Sequence, residues 1–306
     1  MELIDFPIRL PDWKTRVYVH CFGDIHRAAA GCDVKALRRD IRLFKEARDR
    51  GELHYWIGTG DWTNSIGPKD RRFDSTAVSA EFATSQGSDL FHDEARTLVE
   101  EFKPIAEWGV CLGSGNHEES IAKSCEFHPG TYIAEQLNVP FVGYQAGIRF
   151  VLDDGNRKAS VLCHYHHGYG ASRAKGSKVG MLWSMRDLLE ADVHLTAHLH
   201  EKVSFPDDAL TLTRKGDLRL VKRRRLFILG ATYLKSMPAG PRPQKAGTFN
   251  RGHKVHSDYG EVAGYRPSVI GHAAFSMKMD CTSEHGRTVW GVDLREFDPE
   301  LLGEVA

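Results

Sequence analysis

The stretch "TRVYVHCFGDIH", residues 15–26, decides the fold. Its β-branched and aromatic residues run up to a Gly-Asp pair. The chain then enters "DVKALRRDIRLFKEARDRG", residues 33–51, where Val34, Leu37, Ile41 and Phe44 recur at helical spacing. This is a strand followed by a helix, with polar residues left at the junction. "LHYWIGTGDWTN", residues 53–64, repeats the pattern, and "SDLFHDEARTLVEEFKPIAEWG", residues 88–109, predicts a helix closed by Pro104 or Gly109. "VCLGSGNHEES", residues 110–120, is a third such strand end, with a helix predicted from His128 to Leu137. Strands alternating with helices predict a layered α/β core with a substantially parallel sheet.

Further along, residues 141–170 read as a hairpin turning at Asp154-Gly155-Asn156, and "ADVHLTAHLHEK", residues 191–202, is another strand end. From Leu210 the pattern becomes mostly β, flanking the Gly/Pro-rich segment 238–260, which predicts a long loop. The expected organisation is one domain over residues 1–306. Its motif-bearing core covers 16–202, and a β-rich C-terminal part covers 203–306.

At 306 residues and 41% hydrophobic the chain is long enough for a sizeable core. Lys plus Arg equal Asp plus Glu at 41 each, so no overall field draws it to nucleic acid or anionic membrane and any basic surface is local. The six cysteines, Cys21, Cys32, Cys111, Cys125, Cys163 and Cys281, include no CxxC pair and read as reduced thiols. Charges and prolines interrupt the N-terminal segment, and no stretch of about 18 apolar residues occurs, so a cytoplasmic protein without a membrane partner is expected.

Sixteen histidines is a high count, and their placement matters more than their number. Five strand ends carry polar groups: Asp24 and His26; Asp61; Asn116 and His117; His164, His166 and His167; His198 and His200. In α/β sheets ligands gather outside the carboxyl ends of strands, so groups remote in sequence converge there. A mixed oxygen and nitrogen set suits borderline divalent ions, manganese first, with iron and zinc as alternatives. Residues at i and i+2 of an extended segment point the same way, which would let Asp24 and His26 grip one ion. Asp61, reached by two ions, would bridge them at about 3.5–4 Å.

In order, "GDIH", "GTGDWTN", "GSGNHE", "HHG" and "AHLH" resemble the signature of the calcineurin-like metallophosphoesterases, over residues 16–202. The resemblance implies a layered β-sandwich core flanked by helices. It implies one ion on Asp24, His26, Asp61 and His200. A second ion falls to Asp61, Asn116, His198 and His167, or His166 in place of His167; His167 is preferred because it directly precedes the glycine. His117 would then contact the substrate phosphate or protonate the leaving oxygen. Two departures are visible. Asn64 stands where the family has a second acid, which would orient a ligand, and Ala197 replaces a glycine.

The expected activity is hydrolysis of a phosphodiester, of a nucleic acid or nucleotide, by a hydroxide activated between two divalent cations. The rivals are a phosphomonoesterase or protein phosphatase, and a non-catalytic phosphate- or nucleic-acid-binding module. Arg173 and Lys175, with Lys178, follow His167 in a glycine-containing segment and, together with His166, are the expected substrate contacts. His20 and His164 read as packed strand residues, and His54, His92, His128 and His285 as surface or helix residues. Residues 214–227 read as a half-exposed hairpin strand, with a strand tracking a nucleic-acid backbone as the rival. Segment 238–260 is either a phosphate-and-base-binding loop or a solvent loop.

Overall fold

Strand β2 (Val17–Phe22) buries Val17, Val19 and Cys21 on one face and His20 and Phe22 on the other, the period-two alternation of a strand covered on both sides. The first face meets a second sheet and the other meets helices. That division organises the whole computed structural model, which describes residues 1–64, 78–82, 84–85, 88–212, 218, 220–236, 266–284 and 287–303. The basic residues 214–217, the loop 238–260 and His285 lie outside the described residues.

The remaining strands are β1 (Glu2–Arg9), β3 (Leu53–Thr59), β4 (Gly109–Gly113), β5 (Phe141–Gly143), β6 (Gln145–Asp153), β7 (Lys158–His166), β8 (Val193–Thr196), β9 (Val203–Leu212), β10 (Leu220–Leu229), β11 (Ala273–Glu284) and β12 (Arg287–Phe297). They form two six-stranded sheets, ordered β1-β6-β7-β8-β10-β9 and β12-β11-β2-β3-β4-β5. Between the sheets lies one apolar layer, including Val17, Val19, Cys21, Ile57 and Cys111 from one side and Ile148, Phe150, Cys163, Leu195 and Ile228 from the other. This is an α/β fold with a β-sandwich core flanked by helices.

Helices α1 (Val34–Asp49), α2 (Ser88–Phe102) and α4 (Pro129–Leu137) cover the outer face of the β2-containing sheet through Leu37, Ile41, Phe44, Leu98, Phe102 and Ile133. Asp33 caps α1 by accepting the Ala36 N–H at 3.1 Å. His128 caps α4 through Nδ1, and α4 ends at Asn138 in the left-handed region, φ 53°. Helix α5 (Lys175–Ser184) packs Leu182 against Phe227 and Leu229 of the other sheet. Among the described residues no helix is long and apolar enough to cross a membrane. All six cysteines are free thiols, with Cys21, Cys111 and Cys163 inside the sandwich.

Several expectations are corrected. The substantially parallel arrangement is present in β2–β3–β4–β5, β1–β6 and β7–β8–β10, but β11–β2, β11–β12, β6–β7 and β9–β10 are antiparallel, so both sheets are mixed. The C-terminal third completes both sheets, β10 lying beside β8 and β11 beside β2. Strand β1 and helices α3 (Asn116–Ser124) and α5 were not foreseen. His54, expected at the surface, is fully buried, because β3 is an interior strand whose helix-side face is covered by Phe44 of α1. Three of the four cations of β10 are engaged in ion pairs, Arg223 with Asp192 and Glu190, Arg224 and Lys222 with Asp208, as a hairpin strand between acidic neighbours would have them.

Candidate metal centre

Strands β2, β3 and β4 are parallel neighbours and end on the same rim, each in a glycine-containing turn that delivers Asp24 and His26, Asp61, or Asn116 and His117. The parallel pair β7 and β8 of the facing sheet delivers His167, His198 and His200 to the same rim. Backbone bonds fasten the loops together. Asp24 N–H donates to Gly60 O at 2.9 Å and Ile25 N–H to Asp61 O at 2.8 Å; Ala197 N–H donates to His167 O at 2.9 Å. His198 N–H crosses between the sheets to Asp24 Oδ2 at 2.8 Å.

The convergence is tight. One atom each from Asp24, His26, Asp61 and His200 lies within 4.8 Å of the others, and the same holds for Asp61, His167 and His198, with Asp61 common to both groups. His26 Nε2 is 3.1 Å from His200 Nε2 and 3.8 Å from Asp61 Oδ2, and His167 Nε2 is 3.4 Å from Asp61 Oδ2. Two ligands bound at about 2.1 Å to one ion at tetrahedral or right angles stand roughly 3.0–3.4 Å apart. The shorter of these separations match that figure. Asn116 adds an oxygen at the first position of α3, and its Oδ1 is shielded from solvent without a hydrogen-bond partner, as is Asp24 Oδ1. Such an acceptor costs about 1–3 kcal/mol when left unpaired. A cation would satisfy both oxygens, and the donor set of carboxylate, amide oxygen and imidazole fits a divalent metal.

Backbone conformation singles out the same residues. Among the described residues six that are not glycine have positive φ: Asp24 (46°), His26 (50°), Asp61 (51°), Asn138 (53°), His198 (71°) and His200 (50°). Asn138 ends a helix; the other five are all in the two metal-competent groups. The left-handed region costs an L-residue about 1–2 kcal/mol, so five such residues store on the order of 5–10 kcal/mol, comparable with the net stability of a whole domain. The Asp24–His26 pair therefore does not meet one ion by extended-strand alternation, as the spacing suggested. Their side chains converge because both residues are kinked, which turns them inward.

Electrostatics divide the set. Burial holds His200 down at about 3 and His26 well below the usual imidazole range, so both rings are neutral and carry lone pairs. Burial pushes Asp24 well up, with the Asp61 charge adding to it. Burial works against the Asp61 carboxylate too, but the imidazoles of His167, His117 and His26 outweigh it and hold Asp61 well below the carboxylate range. His167 is the counterpart: burial opposes its charge, yet Asp61 and Asp24 lift it to about 9. Its Nδ1 faces Thr59 O at 2.7 Å and donates to it, so Nε2 is the nitrogen turned to Asp61.

A surrounding set of bonds was less visible in the sequence. Buried Glu118 accepts the backbone N–H groups of Asp61 (3.0 Å), Thr63 (3.0 Å) and Gly115 (2.8 Å) and the Thr63 hydroxyl (3.1 Å), so one carboxylate sets the path of both loops. The quoted hexapeptide contains it, but no spacing rule assigns it that work. Thr232 Oγ1 donates to Asp24 O at 2.7 Å from a segment remote in sequence. At Asn64 the backbone matters: its carbonyl accepts Nδ1–H of His117, and its N–H donates to Glu94 at 3.3 Å.

Of the other sequence candidates, His166 stands outside both groups. Its Nδ1 accepts the Gly168 N–H at 2.9 Å and its ring lies beside Tyr144. That removes it as the alternative to His167, since successive residues of a strand end point to opposite sides. Lys175 pairs with Glu201 at 2.8 Å, and Lys178 bonds Leu199 O at 2.9 Å and Glu201 at 3.1 Å, so both tie α5 to the loop carrying His200. Arg173 is exposed.

No protein-family model matches the chain, and no curated protein matches it. Among solved structures it is similar to a Vps29 double mutant from Entamoeba histolytica, at 12% identity over 92% of this chain and 100% of that one, with a TM-score of 0.33. It is also similar to a conserved uncharacterized protein, described as a predicted phosphoesterase, from Streptococcus pneumoniae, at 12% identity over 92% and 99%, with a TM-score of 0.28. Likenesses so slight carry no weight for the site.

Proposed function

We propose that the chain is a metal-dependent phosphoesterase that hydrolyses a phosphodiester of the nucleic-acid or nucleotide type. The observation that supports it is the coincidence of the left-handed residues Asp24, His26, Asp61, His198 and His200 with the two metal-competent groups. Asp24, His26, Asp61 and His200 would hold one divalent cation, and Asp61, Asn116, His167 and His198 a second, with manganese the first choice. Cations bound there would polarise the phosphoryl oxygens and lower the pKa of a water near them.

The chain's own contribution is positioning and proton delivery. Asp61 orients both groups, and its Oδ1 accepts the His117 N–H at 3.0 Å, fixing the start of α3 beside it. His117 is buried and its ring lies 4.6 Å from that of His26, perpendicular to it. Because Nδ1–H donates to Asn64 O, Nε2 is the nitrogen free to face substrate. In the imidazolium form Nε2–H donates to the departing oxygen; in the neutral form it does not. Arg173, Lys175 and His166 are the outer groups we assign to substrate.

The experiment compares a bis-aryl phosphodiester, an aryl phosphomonoester and short DNA and RNA strands with Mn²⁺ added, for wild type and His117→Ala. The variant is expected to lose about 10²–10⁴-fold on the strands, whose alkoxide leaving group needs a proton, and much less on the nitrophenyl ester. Equal loss on both would remove the acid role. Turnover of the monoester alone would replace the diesterase by a phosphomonoesterase, and no turnover of any ester would leave a binding module.

A further inference from the structure

A groove of about 520 Å³ opens beside Asn116 and is lined by Asn116, Glu119, Ser120, Lys123 and Tyr144. Four of these are one stripe of α3, spaced i, i+3, i+4 and i+7, so the helix presents a single row of side chains leading away from the candidate metal centre. The volume is that of a pocket for a nucleotide-sized ligand. The charges along the row have an order. Glu119 stands one turn from Asn116, about 4.5 Å along the axis, and Lys123 two turns away, about 10 Å. Glu119 Oε1 accepts the Ser114 hydroxyl at 2.9 Å, which anchors the acid in place. Lys123 is exposed in the last turn of the helix, with no acidic partner among the described residues. Tyr144 forms the facing wall and is fixed by its hydroxyl to Gly168 O at 3.1 Å.

An anion next to the reacting phosphate meets the Glu119 carboxylate and is repelled. An anion about 10 Å away meets the Lys123 ammonium and is attracted. A pyrophosphate link places its second phosphate in the first position. An extended single strand, rising roughly twice the 3.4 Å of a stacked nucleotide, carries its next phosphate past Glu119 and toward the second. We propose that this groove receives the leaving-group side of a single-stranded nucleic acid, that Lys123 takes a downstream phosphate, that the Tyr144 ring packs against a base, and that Glu119 excludes pyrophosphate-linked nucleotides. This rests on the phosphoesterase reading for the position of the reacting phosphate.

The test has two readouts. By fluorescence anisotropy, a labelled tetranucleotide with a non-hydrolysable linkage binds Lys123→Glu about tenfold more weakly than wild type, and the slope of log K against log salt becomes shallower by about one unit. By turnover, Lys123→Glu lowers the kcat/KM ratio of tetranucleotide to nitrophenyl nucleotide ester, while Glu119→Gln raises the rate on a dinucleoside pyrophosphate. Binding by Lys123→Glu with wild-type affinity and salt slope would overturn the groove even if esters are hydrolysed. Lost binding in Lys123→Glu with no turnover of any ester by wild type would leave the groove and remove the phosphoesterase. Glu119→Gln and wild type discriminating equally against the pyrophosphate would remove the excluding role of Glu119.

Discussion

The backbone N–H of His198 donates to Oδ2 of Asp24 at 2.8 Å, a bond that joins the rims of the two sheets and leaves Oδ1 as the oxygen turned toward His200, 3.8 Å away. In the metal-free protein burial, reinforced by Asp61, keeps Asp24 well above the ordinary carboxylate range, and Asp61 with Asp24 lifts His167 to about 9 against burial. His167 must lose a proton to become a ligand, and burial of Asp24 opposes its carboxylate form in the same direction. Cation binding is therefore expected to release protons and to tighten as pH rises toward 9. Titration calorimetry of Mn²⁺ in buffers of different ionisation enthalpy gives the number released; a value of zero at pH 7 would contradict the protonated state of His167.

Asp61→Asn tests the shared position. Asn tolerates the left-handed region well, so φ 51° at this residue is preserved and the loop is not strained. The change removes the charge that both groups share. Metal content by elemental analysis is expected to fall from two ions per chain to one or fewer, and activity by at least 10³-fold. Full occupancy at both positions would contradict the sharing.

Glycine at 115 is required by space. A Cβ there would lie 2.1 Å from Asp61 Oδ1 and 2.4 Å from Asp61 N, atoms held by Glu118 and His117 and unable to withdraw without breaking those bonds. Gly115→Ala is expected to displace Asp61, weakening Mn²⁺ binding by at least tenfold and lowering stability by a few kcal/mol. Calorimetry and urea unfolding check the two effects separately.

Glu118→Gln keeps the shape and removes two acceptor sites. The carboxylate takes four donors, and the amide NH₂ of Gln would face N–H groups of the 61–63 and 115 turns. Because the site is fully buried, we expect a loss of about 2–4 kcal/mol in urea unfolding. The loss should persist in excess chelator, since it arises in the loops themselves. An unchanged midpoint would show the four bonds to be dispensable.

The sandwich and its loaded rim were legible because Gly-Asp, Gly-Asn and His-rich ends follow apolar strands in a repeated order, and each residue of the two metal-competent groups lay in a quoted motif. The mixed strand directions were not legible, since β11 reaches β2 across more than 250 residues and no local pattern encodes its direction. Helix α3 was hidden by its glycine-rich start and by Asn116 and His117, residues that read as a turn; Gly115 and Glu118 supply its cap instead. Left-handed φ at five ligand candidates has no sequence signal beyond the tolerance of Asp and His for it. His54 was misplaced because its buried polarity is satisfied by partners distant in sequence.

Those partners make acid stability a sharp test. His54 Nε2 meets Glu52 at 3.1 Å, His54 Nδ1 meets His20 Nε2 at 2.8 Å, His20 Nδ1 meets His272 Nε2 at 2.8 Å, and His272 Nδ1 meets Asp40 at 3.1 Å. Burial holds His20 well below the imidazole range and His54 at about 4, with Glu52 partly opposing it. Burial would raise Asp40, but its bonds to His272, Arg39 and Tyr233 more than offset that, so it stays ionised. A proton added to His54 puts a charge on a fully buried ring whose Nδ1 already meets His20 Nε2 at 2.8 Å, across the β2–β3 pair. Because the folded state holds His54 below its unfolded value of about 6.5, stability is full above pH 6.5 and is lost as pH falls from 6.5 to about 4. The loss from His54 alone is up to about 3 kcal/mol. Urea midpoints measured across that window in chelator, which removes any metal contribution, are expected to fall steadily; a flat profile between pH 6.5 and 4 would mean that His54 protonates in the folded state at no cost.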